Sequence, residues 1–345
     1  MATTSSVSRT NCRSLCCIAG LMLFVWSVKG QYDPDWARHF RIGPMVGLNI
    51  KADFEMNGNT PVNHPAGVYD DGYVLVDSTG NGGGATSFWG YQSSSQLNGQ
   101  TLSMHDTTSF SPSSAASTTK DGGILPGLEL AYGGNLWYWK RVRVGWDFGF
   151  GFLPISITAG ESGVGSANQS TFTFNTSGIV PGAPYNGPFQ YPPPGIGGAP
   201  LLPATAASTN TTTIQDAQIT GSQSLDVMLY TFRLGPSVYW DFNRYVGMSV
   251  GAGPALGLVS GDLKFDEFVQ TSTIAENKGQ VSGTDLVYGW YANATVLYHV
   301  MRNGDIYLSG QFMPLGTATI SGQGHQGRLD LKGAAFISAG FNWPF

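Results

Sequence analysis

Charge is scarce in this chain. Its 345 residues include 17 Lys+Arg and 22 Asp+Glu, 11% in all, against roughly 25% in an ordinary soluble domain. Cysteine is scarcer still: Cys12, Cys16 and Cys17 are the only three, and all lie near the start. Beyond Val28 no apolar run approaches the ~20 residues that a membrane helix needs. A disulfide-stapled domain and a helical membrane protein are therefore excluded. A net charge of −5 and a pI near 5.4 exclude a strongly basic nucleic-acid binder. The low charge does not signal disorder, because aromatic residues make up 12% of the chain. Glycine is abundant, at 48 residues, without the strict third-residue period of collagen.

Residues 1–30 have the pattern of an export signal. Arg9 and Arg13 precede an apolar run from Leu15 to Val28, and Gly30 and Val28 fit a cleavage site before Gln31. All three cysteines fall in this segment, so the expected mature chain has none. Residues 31–39 are expected to be a short periplasmic segment, and 40–345 one β domain.

Alternation with a period of two dominates the remainder and predicts strands. Arg141–Pro154 shows it most clearly. Val142, Val144, Trp146, Phe148, Phe150 and Phe152 share one face, while Arg141, Arg143, Gly145, Asp147, Gly149 and Gly151 share the other. Comparable patterns occupy 40–56, 124–132, 228–240, 245–259, 285–300, 305–316 and 329–345, making eight strands. Short links at 133–140, 241–244 and 301–304 alternate with long loops at about 57–123, 155–227 and 261–284. A soluble β-sandwich would expose its polar face at ordinary charge density. Here the face opposite the apolar one is mostly Gly, Ser and Ala with a few charges. That combination suits a lipid-facing wall around a narrow lumen. Strands cross a bilayer only in a closed barrel, where every backbone group is paired. Aromatics gather near the short links (Trp137, Tyr138, Trp139, Tyr239, Trp240, Tyr245, Tyr298, Trp343 and Phe345), as an interfacial girdle would. Pro44, Pro126, Pro154, Pro236, Pro254 and Pro314 fall on the apolar register, where bulges or earlier strand ends are expected.

The last residues place Ile337, Ala339, Phe341, Trp343 and Phe345 at alternate positions and end on an aromatic. This resembles the C-terminal insertion signal of bacterial outer-membrane barrels, carried here by Phe341, Trp343 and Phe345; Pro344 departs from the usual pattern. The whole is similar in architecture to the eight-stranded outer-membrane barrels of the OmpA, OmpX and OmpW type. The resemblance implies an all-β transmembrane antiparallel up-and-down barrel with periplasmic turns and extracellular loops. It also implies outer-membrane lipid as surroundings and the barrel-assembly machinery as a partner through the C-terminal strand.

The predicted inward face collects Arg41, Lys51, Asp53, Glu55, Glu129, Arg141, Arg143, Asp147, Arg233, Asp285, His299, Asp305, Asp330 and Lys332. Buried charges must pair, so the expectation is a salt-bridged plug. An eight-stranded barrel has room for side chains or one small ligand, which leaves a narrow channel or hydrophobic-solute conduit as the alternative. A lipid-modifying enzyme is a second alternative, with His299 and Ser309 on neighbouring predicted strands, but no nucleophile, base and orienting acid converge. No cofactor or metal motif is present, and Asp70-Asp71-Gly72 is too short a match for a calcium loop. The long loops, with Phe88, Trp89 and Tyr91 in the first, are the expected place for a ligand or surface contact. The expected role is structural or surface-interactive, without catalysis.

Overall fold

The computed structural model describes residues 38–345 apart from 57, 77–81, 115, 140, 177–179, 190–199 and 302–303. The export signal at 1–30, most of 31–39 and the proline-rich stretch 191–196 lie outside the described residues.

The alternating segments form eight long strands: β1 (Arg38–Leu48), β2 (Leu125–Trp139), β3 (Val142–Asn175), β4 (Ser208–Asp241), β5 (Val246–Gln270), β6 (Ile274–Met301), β7 (Gly304–Phe312) and β8 (Ala335–Pro344). Each pairs antiparallel with its neighbours in the chain, and β1 also pairs with β8, which closes the sheet. The result is an eight-stranded up-and-down barrel. Both ends of the described chain meet at one rim, where Arg38 and Phe345 exchange two backbone hydrogen bonds. The strand ends Trp139 and Val142, Asp241 and Val246, and Met301 and Gly304, between which the short links run, share that rim.

Around this end the outer surface is apolar: Leu234, Val238, Trp240, Leu256, Tyr288, Trp290, Leu308 and Phe341 are all exposed. Trp137, Tyr138, Trp139, Tyr245, Tyr298, Trp343 and Phe345 are exposed nearer the rim. Tyr239, expected among them, has the opposite parity and is buried in the lumen.

One row of paired residues runs through Leu128, Phe152, Tyr230, Leu258 and Leu286. Below it, toward the short links, most apolar residues of β3–β6 point outward. Above it the same strands continue in register, but the apolar residues occupy inward positions: Leu153, Ile155 and Ile157 in β3, Leu225, Val227 and Leu229 in β4, Val259 and Leu263 in β5. Outward positions there are mostly polar, among them Ser156, Thr158, Asp226, Asp262, Lys264 and Ser282. The wall changes which side is apolar without changing its backbone. This is why 155–227 and 261–284, expected as loops, are largely strand: β3 and β4 each extend over 34 residues.

The other half of the wall reaches the same result by breaking the strand. Asn49 adopts a left-handed backbone conformation (φ 56°) and ends β1. A new strand, Lys51–Met56, then starts with its faces exchanged, because a one-residue slip moves every side chain to the other side. Ala52, Phe54 and Met56 consequently point inward. The segments 313–316 and 331–334 exchange faces in the same way beside β7 and β8, so that Ala318, Ile320 and Leu329 point inward. Strands Ala116–Asp121, Lys51–Met56, His325–Asp330 and Thr317–Gly322 pair in that order into a separate four-stranded sheet. Its two edges lie beside β3 and β6. Above the barrel, therefore, two facing sheets close on a common apolar core that includes Ile50, Phe54, Ile155, Leu225, Leu263, Ile320 and Leu329.

Pro126 and Pro154 stay in register within their ladders, and two glycine pairs accommodate Pro44, Pro236 and Pro254. The β4–β5 ladder is interrupted between Arg233–Ala255 and Ser237–Gly251, the stretch holding Pro236 and Pro254, yet the register is the same on both sides. No bulge forms. A β-carbon at Gly235 would strike the Ala252 carbonyl oxygen, and one at Gly253 the Leu234 carbonyl oxygen. The glycines let the two backbones close directly where proline has no N–H to give. Gly43 and Gly340 do the same where β1 carries Pro44 and its ladder with β8 skips two residues.

Segment 57–123 also carries structure. Thr101–Pro112 pairs with the far end of β3, and Trp89–Tyr91 joins a small four-stranded sheet over it. Phe88, Trp89 and Tyr91, expected as contact residues, are buried, and both Trp89 and Tyr91 belong to the core of this cap.

Candidate functional site

The interior is built in layers, and the charges lie mainly in the layer level with the apolar belt. Arg41 on β1, Glu129 on β2, Asp147 on β3 and Arg233 on β4 all point inward at alternate positions and are buried. Arg41 pairs with Asp147. Arg233 pairs with Glu129 at 2.6 Å and approaches Asp147 at 3.5 Å. Two guanidinium groups thus face two carboxylates. Neutral groups satisfy much of the remaining capacity: Arg41 donates to Thr295 Oγ1 at 3.2 Å, Thr295 donates to Ser309, and Ser338 donates to Glu129. The guanidinium groups also lie over aromatic rings, Arg41 over Tyr307 at 5.8 Å and Arg233 over Tyr291 at 5.2 Å.

Nearer the rim, His39 accepts or donates a 2.6 Å hydrogen bond with the Tyr239 hydroxyl, and Tyr239, Leu297 and Tyr307 form a small apolar cluster. At the mouth, Arg143 pairs with Asp241, and His299 Nδ1 bonds Asp305 at 2.7 Å while Asn342 donates to the same carboxyl group. Arg141, Arg143, Asp241, Asn243, Arg244 and His299 line a recess of about 380 Å³ here.

Of the charges assigned to the lumen from alternation, Arg41, Glu129, Arg143, Asp147, Arg233, His299 and Asp305 are brought together inside. Arg141 is exposed at the rim. Lys51, Asp53, Glu55 and Asp330 lie on the outward face of the separate sheet, and Lys332 is exposed in the turn after it, because the breaks at Asn49 and 331–334 exchange the faces. There Glu55 pairs with Arg328 at 3.1 Å and Asp53 accepts from the Thr119 hydroxyl at 2.6 Å. Asp285 stands at the seam between β6 and that sheet and accepts from the Thr319 backbone N–H at 2.9 Å.

A second polar layer sits above the apolar core and was not legible from alternation. Glu267 and His325 are buried and bond at 2.7 Å, with Phe265 stacked on the imidazole at 4.0 Å. Gln223 donates to Glu161, and Asn277 lies 3.4 Å from Glu267. Met56, Val62, Phe110, Ala217, Ile219 and Val269 belong to another apolar cluster at the distal end. Burial first, and then the neighbouring Glu267 carboxylate, push the Glu161 carboxyl up to about 7.

Outermost, two histidines tie the cap to the strand Thr101–Pro112. His105 Nδ1 bonds Asp71 at 2.6 Å, and His64 Nδ1 bonds Asp106 at 2.8 Å with its other ring nitrogen 3.8 Å from Asp70.

Two consequences are measurable. Asp147→Ala leaves Arg41 and Arg233 with one carboxylate between them in a buried layer. It is expected to cost ~3–5 kcal/mol, read as a lower temperature for loss of the compact band in unboiled gel samples; an unchanged temperature would contradict the pairing. For Glu161, the folded chain holds a proton that the unfolded chain releases between the ordinary value of 4.5 and about 7. Stability should therefore fall as pH rises through that window and level off above it. In urea unfolding of Glu161→Gln, this part of the pH slope should vanish.

No family model matches the chain, and neither does any curated protein. Among solved structures it is similar to the outer membrane protease OmpT from Escherichia coli (10% identity, 92% of this chain and 100% of that one, TM-score 0.30). It is similar to the outer membrane protein OprG from Pseudomonas aeruginosa (9% identity, 90% and 96%, TM-score 0.28). It is also similar to Ail, the attachment invasion locus protein of Yersinia pestis, in complex with the heparin analogue sucrose octasulfate (9% identity, 89% and 99%, TM-score 0.26). No helix among the described residues is long and apolar enough to cross a membrane; the crossing is made by strands. A closed antiparallel ring of eight, an apolar outer belt and an aromatic rim give this chain the architecture of an outer-membrane β-barrel.

Proposed function

We propose that the chain is a non-conducting outer-membrane barrel whose role is structural or surface-interactive. Its short links and both chain ends face the periplasm, and its distal sheets and cap face outward. The observation that carries this reading is the filling of the interior in successive layers. The Arg41–Asp147 and Arg233–Glu129 pairs occupy the barrel at the level of the belt, and the apolar core seals it immediately above. An ion would have to displace paired charges and then enter a packed apolar region, and both steps are costly. The long strands support the outward-facing half of the reading: they carry a folded β-structure well beyond the belt instead of leaving mobile loops.

The reading includes no catalytic step. Ser309 accepts from Thr295 and His299 bonds Asp305, four residues apart along the β6–β7 ladder, so the two are engaged separately. In planar bilayers the purified chain is expected to give no steady conductance at neutral pH; stable open steps would contradict the plug.

The C-terminal strand fits docking to the barrel-assembly machinery. Phe341, Trp343 and Phe345 are exposed on its outer face, and β8 is the strand that closes the ring against β1. Deletion of Phe345 should lower the heat-modifiable fraction in the membrane without changing synthesis. An unaltered folded fraction would remove this strand from the account.

A further inference from the structure

We propose that His64, Asp70 and Asp106 form a binding site for a divalent cation of the zinc type, in the distal cap. The three side chains offer one imidazole nitrogen and two carboxylate oxygens within 4.8 Å of one another. Zinc holds nitrogen and oxygen ligands at ~2.0–2.2 Å in a tetrahedron, so neighbouring ligands stand ~3.4 Å apart. His64 Nδ1 is 2.8 Å from Asp106 and Nε2 is 3.8 Å from Asp70, so the ring lies between the two carboxylates. Turning the imidazole until one nitrogen faces both closes the set, with water in the remaining position.

Two independent features point to a cation. The first is charge. The Asp70 side chain is completely buried, and Asp71 and Asp106 are close by. Their ion-pair partners among the described residues are His64 and His105, with no Lys or Arg. Three carboxylates thus face only two imidazoles, so the group keeps a net negative charge even with both rings protonated, around a fully buried Asp70 side chain. The second is the support around Asp70. Its carboxylate accepts from the Thr107 N–H at 3.1 Å, the Thr107 hydroxyl at 2.7 Å and the Thr273 hydroxyl at 2.8 Å. Gln169 adds a longer contact at 3.4 Å. Hydrogen bonds that fix a carboxylate from behind are the outer shell expected of a metal ligand.

The groups come from separate parts of the chain. His64, Asp70 and Asp106 all lie in the first long segment, Asp106 on its strand Thr101–Pro112, while the supporting Gln169 is on β3 and Thr273 in the β5–β6 turn. A bound cation would fasten the cap to the ends of three barrel strands. The site takes the metal ion itself and needs no closed lumen, so it stands or falls separately from the plug.

The test is calorimetric titration of zinc(II) into the full chain, folded in detergent and stripped with chelator. A single zinc per chain is expected. Binding should be lost in His64→Ala and in Asp70→Asn, and weakened ~10-fold in Thr273→Val, which removes only a hydroxyl behind Asp70. His299→Ala, at the opposite end, should bind as the unaltered chain does. Heat-modifiable mobility confirms folding of each variant. Absence of binding to the folded unaltered chain would overturn the site, and so would binding that survives both ligand substitutions.

Discussion

Every backbone group of this wall must be paired where it crosses lipid, and that requirement fixes the ring of eight strands. The same strands then leave the lipid and continue. A side chain facing outward meets hydrocarbon on one side of the Phe152–Tyr230–Leu258–Leu286 row and a polar medium on the other. The hydrophobic effect therefore acts in opposite directions along one strand. The chain answers in two ways. In β3–β6 it moves the apolar residues from one parity to the other. Beside β1, β7 and β8 it keeps apolar residues at alternate positions and turns the backbone, most visibly at Asn49.

The interior follows from this exchange. Within the belt the inward side is left to small and charged residues, and four charges with opposite signs fill it in pairs. Beyond the belt the inward side becomes apolar, so the barrel is continued by a core closed between two sheets. Buried ion pairs contribute little net stability, since desolvation offsets their attraction; here they mainly specify which side chains can share the lumen. The apolar core above contributes most of the burial.

Much of the barrel was legible in the sequence because period-two alternation survives at all eight strands. Arg41, Glu129, Asp147 and Arg233 could be placed inside because they lie within the belt, before the strand breaks or the apolar parity changes. Lys51 and Asp330 could not, since the backbone turns at 49 and 331–334 leave no mark on alternation itself: apolar and polar residues go on alternating while the faces exchange. The strand extensions were hidden for the complementary reason. At Leu153 the apolar parity changes, which looks like the end of a strand, and Pro154 next to it strengthens that impression. A signal was present: Ser156, Thr158 and Ser162 still alternate with Ile155 and Ile157. His64, Asp70 and Asp106 are joined only by tertiary folding of the cap, and no spacing in the chain announces them.

The parity exchange is open to direct measurement, helped by the absence of cysteine after Cys17. Single spin labels at the outward positions of β3, from Val144 to Ser162, can be read for contact with oxygen, which concentrates in lipid, and with a water-soluble nickel chelate. Oxygen contact is expected through Phe152, with a change to nickel contact by Ser156 that persists along the rest of the strand. Oxygen-dominated contact extending to Thr158 and Ser162, or nickel contact at Trp146 and Phe148, would contradict the exchange.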